Sequence, residues 1–232
     1  MPGPMISENL SRLREEIETV CKVCGRDPED IDVVAVSKTF TPPDILAAYA
    51  EGVRDFGENY VQELQAKKAE LSEFPIRWHF IGHLQSNKAK YIAPYISLIQ
   101  VVDSLSLARE LDKQAAKQNR IVDILIEVHT TREETKFGVY PDLVVSLASE
   151  IASLAHVNIK GLMTMGPFAD DPNESRPSFR ILRKLKEELE SLKNPSIQME
   201  ILSMGMTHDF KVAIEEGATM LRIGTAIFGT RI

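Results

Sequence analysis

Residues 33–38 read Val-Val-Ala-Val-Ser-Lys, and the loop 39–43 (Thr-Phe-Thr-Pro-Pro) follows them directly. An apolar run of this length, ended by a proline-containing loop, predicts a buried β-strand with Lys38 at its carboxyl end. In parallel α/β folds the chemistry lies at that end of the strands. A lysine that is partly desolvated there loses its proton readily and can form a Schiff base with an aldehyde. Taken alone, a solvated surface lysine is the more common alternative.

The same kind of run recurs along the chain. Seven more apolar runs lie at 53–57, 77–82, 98–103, 122–129, 158–165, 197–205 and 219–224. Seven helical patterns separate the runs, at 43–51, 59–71, 86–93, 104–118, 141–154, 176–192 and 209–216. This alternation predicts an α/β fold, a single TIM-type (β/α)8 barrel. An open doubly wound sheet is the alternative, but the glycine fingerprint expected after its first strand is missing from the sequence.

A further helix is predicted before the first strand. Its apolar positions recur at helical spacing: Ile6, Leu10, Leu13, Ile17, Val20, Cys21 and Cys24. Because residue 232 follows the last strand too closely for a full eighth helix, we expect this N-terminal helix to cover that gap. Thr207 is placed to cap the helix 209–216. No linker or repeat divides the sequence, which predicts one domain over 1–232.

Cys21 and Cys24 form a Cys-x-x-Cys pair within the predicted first helix. A structural zinc site needs a second pair or suitably spaced histidines, and a thioredoxin-like pair follows a strand. The sequence offers neither context. Both cysteines are therefore predicted to pack against the barrel, and no metal is expected.

Composition narrows the function classes. With 44% hydrophobic and 26% charged residues, the chain can bury a core and remain soluble. The net charge is −7 and no basic cluster lacks interleaved acids, which argues against nucleic-acid binding. The apolar stretches fall short of the ~20 residues that a membrane span needs, and the N-terminus lacks the pattern of a signal peptide. With two cysteines in the chain, we expect a cytoplasmic location.

Two loops near the C-terminus have the composition of a phosphate site. The seventh strand ends in Ser203-Met204-Gly205, and the eighth continues into Gly224-Thr225. Each loop offers a hydroxyl beside a glycine, and barrels often bind phosphate with the loops after strands seven and eight. A short apolar turn starting at Thr225 would further favour an anion. Two ordinary strand-to-helix turns are the alternative.

Side-chain alternation places these features around one pocket. If Lys38 points inward, so do Val34 and Val36; if Gly224 faces the barrel axis, so does Arg222. Strands one and eight are neighbours in a closed barrel, so an inward lysine and an inward arginine would flank one pocket. An aldehyde-reactive amine, a phosphate cradle and a fixed cation together describe a site for pyridoxal 5′-phosphate (PLP).

Several longer strings carry a family resemblance. They are 34–38, 56–63 (Phe-Gly-Glu-Asn-Tyr-Val-Gln-Glu), 78–88 (Trp-His-Phe-Ile-Gly-His-Leu-Gln-Ser-Asn-Lys), 161–163, 203–209 and 222–229. Over nearly the whole chain the sequence resembles the YggS/PROSC family of pyridoxal phosphate-binding proteins, also called pyridoxal phosphate homeostasis proteins. Thr207 stands where a serine is common in that family, and it is still a hydroxyl.

The resemblance implies a fold-type III barrel that carries PLP as an internal aldimine on Lys38. It also implies that Asn59 lies near the ring and that Arg222 approaches the pyridine nitrogen. The residues implied for the phosphate are Ser203, Gly205, Gly224 and Thr225. An arginine stays protonated and donates to the ring nitrogen, which makes the ring a poorer electron sink than one paired with a carboxylate.

The functional expectation is a carrier that binds PLP, shields its aldehyde and passes it to apo-enzymes, with a monomer expected. A PLP-dependent racemase is the alternative; fold-type III racemases resembling this barrel take a second base from an additional β domain, which the sequence lacks. A Schiff-base aldolase would explain the lysine and the phosphate loops but not Arg222.

Five other residues have open roles. His79 is either a core residue or a site residue, and His83 is better placed for the mouth of the barrel. Lys136 is a candidate second amine, with a surface lysine as the commoner alternative. The pair Met163 and Met165 is predicted to fill the barrel.

Overall fold

In the computed structural model, which describes residues 3–131, 133 and 137–230, eight parallel strands close into a barrel in chain order. The strands are β1 Asp32–Val36, β2 Asp55–Glu58, β3 Arg77–Phe80, β4 Leu98–Val102, β5 Val122–Glu127, β6 Val157–Met163, β7 Ile197–Ser203 and β8 Met220–Ile223. The predicted (β/α)8 barrel is confirmed. Each predicted strand is present; β1, however, ends two residues before Lys38.

The helices lie outside the barrel. They are α1 Gly3–Cys24, α2 Pro42–Ala50, α3 Val61–Glu70, α4 Ala89–Ile92, α5 Leu105–Ala116, α6 Val144–Ile151, α7 Arg176–Ser191, α8 Phe210–Glu215 and α9 Thr225–Phe228. The predicted helices 86–93 and 141–154 each begin with a 3₁₀ turn, Ser86–Lys88 and Pro141–Leu143. Within the described parts of the chain, no helix is long and apolar enough to cross a membrane.

Helix α1 covers the barrel beside β8, as predicted. It packs against α2, α8 and α9 through a stripe of buried residues: Ile6, Leu10, Leu13, Ile17 and Cys21. The prediction that both cysteines pack is correct for Cys21 and wrong for Cys24, which is exposed. Cys24 is the last residue of α1, and its thiol turns back toward the carbonyl of Val20, 3.0 Å away.

The register of β1 against β8 positions the site. Val34 pairs with Arg222 and Ala35 with Ile223, so the two strands end side by side. Gly224, one residue past β8, lies against Val36: a Cβ built on it would be 3.4 Å from the Val36 carbonyl oxygen. The predicted adjacency of strands one and eight is confirmed.

Candidate functional site

A cleft of about 280 Å³ opens at the carboxyl ends of the strands. This is close to the lower end of the range of roughly 300–1,000 Å³ that small-molecule sites occupy. Five of the predicted site residues line it: Lys38, Asn59, Arg222, Gly224 and Thr225. The other lining residues are Val36, Phe40, Ile81, Met165, Met206, Thr207 and His208. The two predicted cations thus share one cleft with the Gly224-Thr225 turn.

Lys38 stands in a turn that is held from behind the barrel wall. The ammonium of Lys67, from α3, donates to the Ser37 carbonyl at 2.7 Å, to Glu58 Oε1 at 2.7 Å and to Glu63 Oε1 at 2.7 Å. Glu63 Oε1 also accepts the backbone N–H of Thr39 at 2.6 Å. Both neighbours of Lys38 are therefore tied down.

We call this group the Lys67 clamp: Ser37, Thr39, Glu58, Glu63 and Lys67. Thr39 adopts φ +69°, a left-handed conformation that costs of order 1–3 kcal/mol for a residue with a branched side chain. The Ser37 hydroxyl donates to Glu58 Oε1 at 2.6 Å, which leaves Glu58 Oε2 buried with no partner among the described residues. Burial raises the pKa of Glu58, against the hydrogen bonds from Lys67 and Ser37.

Arg222 is the buried cation of the cleft. Its Nη1 donates to Ser203 Oγ at 2.6 Å and its Nη2 to the Thr164 carbonyl at 2.8 Å. Burial lowers the pKa of Arg222 to about 10, although the negative charges of Asp209 and Glu127 oppose the shift. The guanidinium therefore stays charged near neutral pH, and two of its five N–H groups are used in these bonds to described residues of the protein.

Glu127, at the end of β5, brings a second titratable group near Arg222. Burial and the charge of Asp103 raise the pKa of Glu127 to about 7, and the charge of Arg222 opposes the shift. The carboxyl group is therefore partly protonated near neutral pH, and it neutralises Arg222 only in part. This role could not be predicted from the sequence, because nothing in the run 122–129 distinguishes this glutamate from an exposed one.

Ser203 and Gly205 lie behind the cleft wall. Ser203 is fully buried and bridges Arg222 to Gln100, whose Oε1 accepts the hydroxyl at 2.6 Å. Gly205 has φ +94°, and a Cβ there would lie 2.6 Å from the Cβ of Ala213 in α8. The structure thus places Ser203 next to the arginine and Gly205 in a tight strand-to-helix packing contact.

Thr207 connects the two C-terminal loops. Its hydroxyl accepts the backbone N–H of Ala226 at 3.3 Å, in the first turn of α9. The prediction that Thr207 caps the helix 209–216 is wrong. Helix α8 begins only after Asp209, whose own carboxylate turns back to accept the N–H of Met206 at 2.7 Å. Thr207 therefore braces the Gly224-Thr225 turn, and its side chain lines the cleft.

Asn59 offers the cleft an unused polar atom. Its Oδ1 is buried and has no hydrogen-bond partner among the described residues. Gly82 allows this placement, since a Cβ at Gly82 would lie 2.3 Å from the Asn59 carbonyl oxygen. An amine, a buried cation, an orphaned amide oxygen and a glycine-threonine turn fit the aldehyde, the ring and the phosphate of PLP.

The residues with open roles are now placed. His79 is a buried core residue, bonded to Asp55 and Gln100. His83 is exposed and stacks on Phe137 with ring centroids 3.9 Å apart, and it does not line the cleft. Met163 fills the barrel as predicted, whereas Met165 lines the cleft. Lys136 lies outside the described residues.

A larger cleft of about 890 Å³ lies at the opposite end of the barrel, between α1 and the starts of β1 to β3. Its arginines are engaged within the protein: Arg77 pairs with Asp55, and Arg54 donates to the Tyr49 carbonyl at 2.8 Å. Among the described residues, no cluster of His, Cys, Asp and Glu could hold a metal ion. The smaller cleft at the mouth is the better candidate because its lysine and arginine face the cleft itself.

Known proteins resemble this chain along its whole length. The sequence profile of the family described as "Alanine racemase, N-terminal domain" matches residues 9–232. A pyridoxal phosphate homeostasis protein of Aquifex aeolicus is 44% identical over 224 residues, covering 97% of each chain. PipY of Synechococcus elongatus, solved with PLP bound, superposes with a TM-score of 0.85 and 36% identity, covering 97% of this chain and 100% of PipY.

A more distant likeness extends to an enzyme. An alanine racemase of Clostridium difficile superposes with a TM-score of 0.78 at 15% identity, over 98% of this chain and 57% of the racemase. At that identity the likeness is one of fold alone.

Proposed function

Because the chain belongs to the family of pyridoxal phosphate homeostasis proteins, we propose that it binds PLP, the cofactor form of vitamin B6, covalently through Lys38. The observation that carries this proposal is that Lys38, just past the end of β1, and Arg222, in the neighbouring β8, line one cleft with Gly224 and Thr225. The amine of Lys38 condenses with the aldehyde and releases water, forming a Schiff base. The PLP in the PipY structure supports the identity of the ligand.

Each of the remaining site residues contacts a different part of the cofactor. The Gly224-Thr225 turn, braced by Thr207, holds the phosphate with backbone N–H groups and hydroxyls. Asn59, whose Oδ1 has no partner among the described residues, faces the ring, and Arg222 donates to the ring nitrogen. In this arrangement Ser203 acts through Arg222, and the Gly205 carbonyl accepts the backbone N–H of Arg222 at 3.0 Å.

The proposed role is a carrier that keeps the aldehyde sequestered and releases PLP to apo-enzymes in the cytoplasm, acting as a monomer. Arg222 supports this role, since a cation that donates to the ring nitrogen leaves that nitrogen unprotonated. The ring then withdraws electrons weakly, so proton loss from a bound amino acid is slow.

The site assignment is tested by spectroscopy and peptide mapping. The purified protein should absorb as a PLP Schiff base, and borohydride should fix the pyridoxyl group on Lys38, as read by mass spectrometry. Finding the group on Lys88 or Lys136 instead would reject the site.

Carrier and racemase are separated by deuterium exchange at Cα with chiral analysis, across a panel of amino acids. Ordinary enzymatic turnover is of order 1–10³ s⁻¹. We expect exchange at Cα to be far slower than that. Exchange or racemisation at such a rate, abolished by Lys38→Ala, would establish an enzyme and refute the carrier.

A further inference from the structure

Arg222 is the upper end of a hydrogen-bonded chain that runs down the barrel axis. Ser203 Oγ accepts from Arg222 Nη1 at 2.6 Å and donates to Gln100 Oε1 at 2.6 Å. The Gln100 amide nitrogen lies 3.0 Å from His79 Nδ1, and His79 Nε2 lies 3.0 Å from Asp55 Oδ1. All five residues are at most 9% exposed. We call them the axial chain: Arg222, Ser203, Gln100, His79 and Asp55.

The direction of every bond in the axial chain follows from Arg222. A guanidinium has donors and no acceptor, so Ser203 must accept from it. The single hydroxyl hydrogen of Ser203 then goes to the amide oxygen of Gln100, and the Gln100 NH₂ group must face His79. Turning this amide over would remove the acceptor of the Ser203 hydroxyl hydrogen in a dry interior, which is costly.

The same logic sets the tautomer of His79. Because Gln100 donates to Nδ1, the ring hydrogen sits on Nε2 and is donated to Asp55. Asp55 is anchored in turn by Arg77, whose Nε donates to Oδ1 at 2.7 Å. The hydrogen bonds from His79 and Arg77 outweigh burial and lower the pKa of Asp55 to about 2, so this end of the chain is a fixed acceptor.

We propose that Gln100 is a positioning residue for the cofactor ring. Gln100 accepts the Ser203 hydroxyl hydrogen, and this fixes which lone pair Ser203 presents to Nη1 of Arg222. The fixed lone pair in turn sets the orientation in which the guanidinium meets the ring nitrogen. This inference rests on the proposed binding of PLP. Gln100 itself does not line the cleft, so its effect on the cofactor passes through Ser203 and Arg222.

The hydrogen-bond directions in the axial chain can be tested without PLP. In ¹⁵N NMR of the PLP-free protein, His79 should show the neutral Nε2–H tautomer. Gln100→Glu presents an acceptor to Nδ1, so His79 should then carry hydrogens on both nitrogens, while Ser203 keeps its acceptor. A wild-type Nδ1–H tautomer would overturn the proposed direction of the chain.

The effect on the ring is tested with two ligands, PLP and its 1-deaza analogue, which lacks the ring nitrogen. The wild type should prefer PLP by at least about tenfold, the value of one charge-assisted hydrogen bond. Gln100→Met, of similar volume, should lose that preference, and Gln100→Glu should restore most of it. Gln114→Met, which removes a buried glutamine of α5, is the control for general destabilisation and should keep the preference.

The outcomes separate the two proposals. A preference for PLP that survives in Gln100→Met, at a thermal stability equal to that of Gln114→Met, would overturn the role of Gln100. A wild type that binds neither ligand would refute the proposed function and, with it, the role of Gln100, whatever tautomer His79 shows.

Discussion

The Lys67 clamp, built around the buried Lys67 and Glu58, and the buried axial chain are both polar networks that lead to the cleft, but they fix different groups. The clamp binds the backbone on either side of Lys38, through the Ser37 carbonyl and the Thr39 N–H. The axial chain grips the guanidinium of Arg222 directly. The difference suits the two proposed roles. An amine that must bind and release an aldehyde needs a fixed backbone beneath it, whereas a cation that must face one ring nitrogen needs a fixed guanidinium.

The two networks also differ in charge. In the clamp one ammonium meets two carboxylates at 2.7 Å each, so its strength depends on a complete set of ions. The middle of the axial chain consists of a hydroxyl, an amide and an imidazole, with the charges of Arg222 and Asp55 at its two ends. Breaking the clamp should therefore mainly lower the stability of the fold. Breaking the axial chain should mainly weaken the hydrogen bond between Arg222 and the ring nitrogen.

The largest expected effect is at Lys38. Lys38→Ala removes the attacking amine, so borohydride should fix no pyridoxyl group at this site, while the protein should still unfold cooperatively because the clamp bonds to the backbone of Ser37 and Thr39 are kept. The measurement is mass spectrometry of the reduced protein beside a melting curve. Lys88→Ala is the matched control and should label normally; label retained by Lys38→Ala would contradict the assignment.

Next in size is the loss of the clamp cation. Lys67→Met leaves the fully buried Glu58 without its ion pair, and breaking a buried pair costs about 3–5 kcal/mol. Urea unfolding should show this loss, and Glu58→Gln in the same chain should recover part of it. At low temperature the variant should react more slowly with PLP yet keep the preference for PLP over its 1-deaza analogue. Loss of that preference would show that the two networks are not separate.

A third effect comes from acid. The pKa of Asp55 is depressed to about 2 from 3.8, so its contribution to stability is complete above about pH 4 and is lost as the pH falls toward 2. A shift of nearly two units corresponds to about 2 kcal/mol. Comparing unfolding at pH 6 and pH 2.5 for wild type and Asp55→Asn measures it. An equal acid sensitivity in Asp55→Asn would assign the loss to other carboxylates.

The smallest effect concerns the Gly224-Thr225 turn, which is proposed to hold the phosphate. Each charge-assisted hydrogen bond to phosphate is worth roughly 1.5–3 kcal/mol, so pyridoxal should bind at least about tenfold more weakly than PLP. Thr225→Val removes one hydroxyl and should reduce the difference in affinity between PLP and pyridoxal. It should leave the spectrum of the bound aldehyde unchanged. Thr219→Val, a threonine away from the cleft, is the control. Equal affinity of the wild type for PLP and pyridoxal would contradict the proposal that the Gly224-Thr225 turn holds the phosphate.

Much of the fold could be predicted from local patterns. Apolar runs and helical spacing are properties of short segments, and their regular alternation admits few folds. The adjacency of Lys38 and Arg222 followed from strand order and alternation alone. The strand ends were less predictable: β1 stops at Val36 because the chain turns there, with the Phe40 N–H bonded to the Ser37 carbonyl at 3.0 Å.

The sequence by itself determined the barrel, the end of the barrel where the candidate site lies, and the lysine and arginine that line the candidate cleft. Only the tertiary structure decided which hydroxyls face the cleft and which side chains stand behind them. Ser203 and Gln100 are 103 positions apart, and Lys67 resembles any exposed helical lysine until α3 packs over Glu58. Such contacts depend on barrel register and side-chain rotamers, which arise from packing across the whole molecule and leave no local pattern in the chain.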